Sequence, residues 1–196
     1  MDKQPAHKKP RIYLAGPEVF LPDAKAIGVR KAELCAQSGL EGVFPLDNQL
    51  DLDGLPPAEQ ARRISLANEE AMRSSHAAIC NLTPFRGVSM DAGSAFEVGF
   101  MRALERPVFA YTTTTADYAA RAQAWRAVPA LPFDYDRDGL EIEDFGLCEN
   151  LMIPVAIAEG GGTIIQTEEA GDQVRYAFEG FEAAVAAAAR HFGTLR

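Results

Sequence analysis

The chain has 196 residues, 47% hydrophobic and 24% charged, which suits a globular protein with a buried core and leaves little room for two domains. Its formal charge of −9 excludes a partner held by phosphate neutralisation, such as polymeric DNA or RNA, while leaving a small nucleoside open. Cys35, Cys80 and Cys148 are an odd number without C-x-x-C spacing, which speaks against a disulfide framework or a zinc site and fits a reducing cytoplasm, and no apolar run reaches the roughly 20 residues of a membrane span.

Residues 1–10 hold basic and imidazole side chains between two prolines and read as a mobile tail, with residues 11–196 as one domain. Residues 11–15 (RIYLA) form a first strand closed by Gly16-Pro17. Asp23 caps a helix that runs to about Ser38 and stops at Gly39, and residues 42–46 (GVFPL) make a second strand with Pro45 at its end. Pro56-Pro57 opens a helix to about Ser74 whose inward face is Ala61, Ile64, Asn68, Ala71 and Met72. Residues 77–82 are a buried strand, 83–90 a turn-rich segment, 91–104 a helix and 107–111 a fourth strand. Residues 112–125 pass from a threonine-rich turn into a helix, and 129–139 read as loop. Residues 159–162 turn, 163–166 and 174–178 are short strands, and 181–192 form an alanine-rich closing helix. This alternation predicts a three-layer α/β domain around a mostly parallel sheet, with its site beyond the carboxyl ends of the strands.

The residues just past those ends are Gly16-Pro17-Glu18, Asp47-Asn48-Gln49, the 83–91 segment and Thr112 to Thr115, an acidic and amide-rich rim. Pro17 removes a donor and Glu18 repels phosphate where a dinucleotide site would offer glycines and free N–H groups, so a Rossmann reading loses ground. The run Asp91-Ala-Gly-Ser-Ala-Phe-Glu97-Val-Gly-Phe100 places two carboxylates at the start of one helix, with Gly93 and Ser94 leaving the patch over Glu97 open. An isolated acidic pair of this kind is more often a helix cap and a solvated side chain. Glu97, however, is flanked by Phe96, Val98 and Phe100, and burial would raise its pKa unless a donor opposes that; Tyr13 on the first strand is a candidate.

Three separated motifs now become specific: Ile12-Tyr13-Leu14-Ala15-Gly16-Pro17-Glu18-Val19-Phe20, then Pro84-Phe85-Arg86-Gly87 leading to Asp91 and Ala95-Phe96-Glu97-Val98-Gly99, then Phe145-Gly146-Leu147-Cys148-Glu149-Asn150-Leu151-Met152. In order and spacing the chain resembles the nucleoside 2-deoxyribosyltransferase family over about residues 11–155. The resemblance implies a flavodoxin-like fold and double displacement at C1' of a 2'-deoxyribonucleoside, with a free nucleobase as acceptor; no cluster in the sequence has metal-ligand spacing, so no metal or cofactor is expected. It further implies Glu97 as nucleophile, Tyr13 as the group orienting it, Asp91 as proton donor and acceptor for the base, and Asn68 at the sugar. Asn150 would reach the sugar of a neighbouring subunit, so a homo-oligomer and a role in nucleotide salvage are also implied. The pattern departs at Asn81, where relatives often carry aspartate, and at Cys148, where proline or another small residue is common.

Gly16, Asp47, Arg86 and Gly93 complete the candidate substrate-binding set, although an Asx turn is an equal reading of Asp47 and a solvated loop cation is the commoner state of an arginine like Arg86. The chemistry demands one ionised and one protonated carboxyl, the logic of retaining glycosidases. Two alternatives stay open: a hydrolase of deoxynucleosides or their 5'-monophosphates, for which Arg86 and Ser89 would serve, and a non-catalytic nucleoside-binding module.

Overall fold

The computed structural model describes residues 8–47, 50–126, 142–168 and 178–195. Five strands, β1 (Arg11–Ala15), β2 (Glu41–Val43), β3 (Ala77–Asn81), β4 (Val108–Thr112) and β5 (Thr163–Gln166), form one all-parallel sheet in the order β2-β1-β3-β4-β5. That order is flavodoxin-like, with the chain reversing its direction of travel between β1 and β3. Among the described residues the α-helices are α1 (Ala24–Gln37), α2 (Pro57–Ser74), α3 (Ala92–Ala103), α4 (Tyr118–Arg126), α5 (Met152–Glu159) and α6 (Phe178–His191), and α1, α2, α3, α5 and α6 pack on the sheet.

The central strands are buried on both faces, so they read as continuous apolar runs rather than as alternation. The period of two nonetheless sorts their side chains. Ile12, Leu14, Ile79, Phe109 and Tyr111 face the core under α1 and α6, while Tyr13, Ala15, Ala78, Cys80 and Ala110 face the core under α2, α3 and α5. Tyr13 is thereby committed to the layer that holds α3. Gly28 and Gly180 allow close approach in the opposite layer: a Cβ on either would stand 2.5 Å from the Phe44 ring or 3.0 Å from the Tyr111 ring.

Within the described residues the expected strands and helices form with boundary shifts of a few residues, and three differences are informative. The second strand ends at Val43, because Pro45 to Asp47 wind into a 3-10 turn in which the Asp47 carboxylate accepts the Phe44 N–H at 2.9 Å. The inward face assigned to α2 holds only at its C-terminal end: Ala71 and Met72 are buried, whereas Ala61 and Ile64 are exposed. An 18-residue helix is about 27 Å long and a five-residue strand about 17 Å, so the N-terminal turns of α2 overhang the carboxyl end of the sheet. Finally, α5 had no counterpart in the sequence reading; its Pro154 lies in the first turn, where no N–H is needed. The loop expected over 129–139 and most of the strand expected over 174–178 lie outside the described residues, and Phe178 begins α6.

Candidate active site

A pocket of about 310 Å³ opens at the carboxyl edge of the sheet beside the β1–β3 crevice. Its floor and polar side are Gly16, Asn68, Asp91, Gly93, Ser94 and Glu97, and its apolar walls include Phe20, Leu46 and Ile64. The overhang of α2 is what brings Ile64 and the half-buried Asn68 to it.

Helix α3 supplies the acids by its period. Ser94, Val98 and Met101 form its buried stripe at spacings of four and three, and Glu97 lies on the flank of that stripe, next to Gly93, facing the pocket. From the sheet below, Tyr13 donates its hydroxyl proton to Glu97 Oε1 at 2.5 Å. Burial, with the Glu97 charge next in weight, pushes the Tyr13 phenol far above its ordinary value, so it keeps its proton and acts as the donor. Burial likewise pushes the Glu97 carboxyl up to about 7; the Tyr13 hydrogen bond opposes that rise and the negative charge of Asp91 adds to it. The donor expected of Tyr13 is present, but desolvation outweighs it.

Asp91 is the N-cap of α3, and its Oδ2 accepts the Ser94 N–H at 3.0 Å and the Ser94 hydroxyl at 3.2 Å. Capping and pocket lining are therefore the same position, because the helix N-terminus that needs an acceptor points into the site. A Cβ on Gly93 would stand 3.0 Å from the same Oδ2, so glycine there lets the carboxylate lie flat along the helix start.

The other candidates separate. Arg86 is exposed at the lip, with its guanidinium carbon 5.2 Å from the Phe20 ring and 4.7 Å from the Phe85 ring, the two rings being stacked at 5.4 Å. Its φ of 56° is a left-handed conformation that is uncommon outside glycine, asparagine and aspartate. Asp47 is exposed and closes its turn outside the pocket lining, and Asn48 and Gln49 lie outside the described residues. Asn150 is also outside this pocket: its amide donates to Glu143 at 2.7 Å and its Oδ1 accepts the Met152 N–H at 3.2 Å at the start of α5. His76 sits at the amino edge of the sheet, where its Nδ1 accepts the Arg11 N–H at 2.9 Å, the far end from the acids. Cys80 is fully buried, and desolvation followed by the Glu97 charge raises its thiol well above its usual range, which disfavours the thiolate.

Glu18 is not the phosphate-repelling rim charge that its position after β1 predicts. Glu18 is buried within the 3-10 turn Pro17–Phe20, where its Oε1 receives Lys31 Nζ, the Tyr111 hydroxyl at 2.8 Å and Asn81 Nδ2 at 3.0 Å. An aspartate at position 81 could not donate that last bond. Gly16 has no room for a side chain because a Cβ would stand 2.0 Å from Glu18 Oε2. Lys31 carried the overlooked signal: it stands four residues after Ile27 and three before Leu34, on the buried stripe of α1, and a buried lysine requires an anion.

Among the described residues no group of three or more His, Cys, Asp or Glu could hold a metal ion, and no helix is long and apolar enough to cross a membrane. The sequence model that matches residues 12–152 is that of nucleoside 2-deoxyribosyltransferase. A protein of Schizosaccharomyces pombe (strain 972), itself described as uncharacterized, is 32% identical, with 83% of each chain covered. A 2-desoxiribosyltransferase from Leishmania mexicana matches with a TM-score of 0.60 at 26% identity, over 90% of this chain and 97% of that one. A conserved protein from Enterococcus faecalis V583 shares the fold at a TM-score of 0.54 and 23% identity, over 90% of this chain and 99% of that one.

Proposed function

The chain belongs to the nucleoside 2-deoxyribosyltransferase family, and from that premise we propose that it cleaves the N-glycosidic bond of a 2'-deoxyribonucleoside and passes the sugar to another nucleobase. The observation that carries the reading is the Tyr13–Glu97 hydrogen bond at 2.5 Å in a pocket that Asp91 shares. Two carboxyls are held in one cavity; burial works against ionising Glu97, and the Tyr13 hydrogen bond favours the anion that the attack requires.

In the proposed cycle the ionised Glu97 attacks C1' from the face opposite the base. The C1'–N bond breaks, its electron pair leaves with the base nitrogen, and that nitrogen takes the proton held by Asp91. Oxocarbenium character at C1' is stabilised by the Glu97 anion before the covalent bond forms. Asp91 then accepts a proton from the incoming base as that base attacks C1' and releases Glu97. Two inversions retain the configuration at C1'. Tyr13 fixes the attacking oxygen and offsets part of the burial cost of its charge; in this cycle Asn68, which lines the pocket, binds the sugar, and Phe20, Leu46 and Ile64 offer an apolar surface to the base.

The reading extends to a homo-oligomer in which Asn150 serves a neighbouring copy's site. Phe145, Met152, Val155 and Phe96 leave apolar side chains exposed around Asn150 and on the packed pair α3 and α5, which suits a covered face. Incubation with deoxyinosine and free adenine, followed by chromatography, tests the function. Appearance of deoxyadenosine supports the transferase, release of free deoxyribose without exchange would make the protein a hydrolase, and unchanged substrate would leave only a binding role.

A further inference from the structure

A second buried carboxylate, Glu149, holds the backbone of Met90, the residue that precedes Asp91. Glu149 is 1% exposed and lies between three segments that are distant in sequence. Its Oε1 accepts the Ser89 hydroxyl at 2.6 Å and the Asn150 N–H at 3.0 Å, and its Oε2 accepts the Met90 N–H at 3.0 Å and Arg121 Nη2 at 3.3 Å. Arg121, from α4, spends its remaining donors on the same segments: Nε to the Val88 carbonyl at 2.9 Å, Nη2 to the Cys148 carbonyl at 2.9 Å and Nη1 to the Ala116 carbonyl at 2.7 Å. Glu149 is buried, Arg121 is nearly so, and each side-chain nitrogen and oxygen of the pair has a hydrogen-bond partner, the condition under which a buried ion pair fixes geometry rather than weakening the fold.

The segment it grips leads straight into Asp91. Thr83 to Met90 is the irregular stretch between β3 and α3, and Met90, whose N–H Glu149 accepts, is bonded to the N-cap residue itself. Within the 84–90 stretch the local backbone tie is the Phe85 N–H to the Ser89 carbonyl at 2.9 Å, so the orientation of the whole loop is set from outside it.

We infer that Glu149, clamped by Arg121, is a positioning residue that holds the loop before α3 so that Asp91 meets the departing base, making proton delivery to the leaving group the step that depends on it. The inference rests on the glycosyl-transfer reading of the pocket, and its test separates the two. A neutral purine such as hypoxanthine needs a proton to leave. The base of 7-methyl-2'-deoxyguanosine already carries a positive charge and leaves without one. Loss of Glu149 alignment should therefore slow the first substrate and spare the second.

The experiment compares the parent protein, Glu149→Gln, Ser89→Ala and Asp91→Asn on both nucleosides, with spontaneous loss of 7-methylguanine subtracted and folding checked by thermal melting. Glu149→Gln is expected to lower kcat on deoxyinosine roughly 10- to 100-fold, the cost of misplacing a reacting group by about an ångström, with KM little changed. Ser89→Ala keeps the Glu149–Arg121 pair intact and is expected to lose roughly 3- to 10-fold on the same substrate, so it decides the matter if Glu149→Gln does not fold. Both variants should cleave the methylated nucleoside within about twofold of the parent and move in the same direction as Asp91→Asn. Equal losses on the two substrates, or no loss on deoxyinosine, overturn the role given to Glu149 while leaving the reading of the pocket intact. A parent protein inactive on both overturns the pocket reading and this inference with it.

Discussion

Glu97→Gln should make the protein more stable while destroying its activity, and the gain should depend on pH. The Glu97 carboxyl stands at about 7 in the folded chain against an ordinary 4.5, with burial the dominant cause. Between those two values the folded state holds the proton that the unfolded state has released. The stability tied to that proton is therefore complete below pH 4.5 and lost as the pH rises through about 7. At about 1.4 kcal/mol per tenfold, the interval amounts to about 3 kcal/mol of destabilisation carried by the ionised site at pH 8.5. Glutamine keeps an oxygen for the Tyr13 hydroxyl and never ionises, so the variant escapes this cost. Urea unfolding followed by circular dichroism at pH 5.0, 7.0 and 8.5 measures it. The variant and parent should differ little at pH 5, and at pH 8.5 the variant's midpoint should lie higher by about 1 M, given a slope of roughly 3 kcal/mol per M for a chain of this size. A difference that does not change with pH, or a variant less stable at pH 8.5 than at pH 5 relative to the parent, would refute the claim that the site holds an electrostatically costly carboxylate.

The same group predicts the activity profile: because the nucleophile is the ionised form, kcat/KM for exchange should rise with pH through about 7, measured as initial rates across pH 5 to 9. Tyr13→Phe removes the hydrogen bond that favours the anion, so that limb should move to higher pH and the rate at pH 7 should fall by roughly 10-fold or more, as expected for a hydrogen bond to a charged group. Lys31→Met strands the buried Glu18 carboxylate and should cost about 3 to 5 kcal/mol in urea unfolding, with much of the loss recovered in the Lys31→Met, Glu18→Gln pair. Gly16→Ala forces a Cβ to within 2.0 Å of Glu18 Oε2, so the turn bearing Val19 and Phe20 must shift and kcat/KM should fall roughly 10-fold or more, with the melting temperature also lowered.

Local sequence determined a good deal of this protein. The apolar runs of β1, β3 and β4 and the helical spacings between them were sufficient to place a parallel α/β sheet, since a strand buried on both faces and a helix buried on one leave different periods in the chain. The motif around Gly93, Ser94 and Glu97 was legible as well, because three- and four-residue spacings fix which side chains share a helical face. Tertiary structure alone decided how those pieces meet. The overhang of α2 that carries Ile64 and Asn68 to the pocket follows from two element lengths, and the burial of Glu18 against Lys31, Tyr111 and Asn81 joins four segments across up to 93 positions. Glu149 and Arg121 give no sign in their own neighbourhoods, because a buried ion pair is specified by where a loop and a distant helix meet. The pKa of Glu97 is of the same kind: composition places a carboxylate among phenylalanines, but only the packed chain sets how far water is excluded from it and which hydroxyl stands 2.5 Å away.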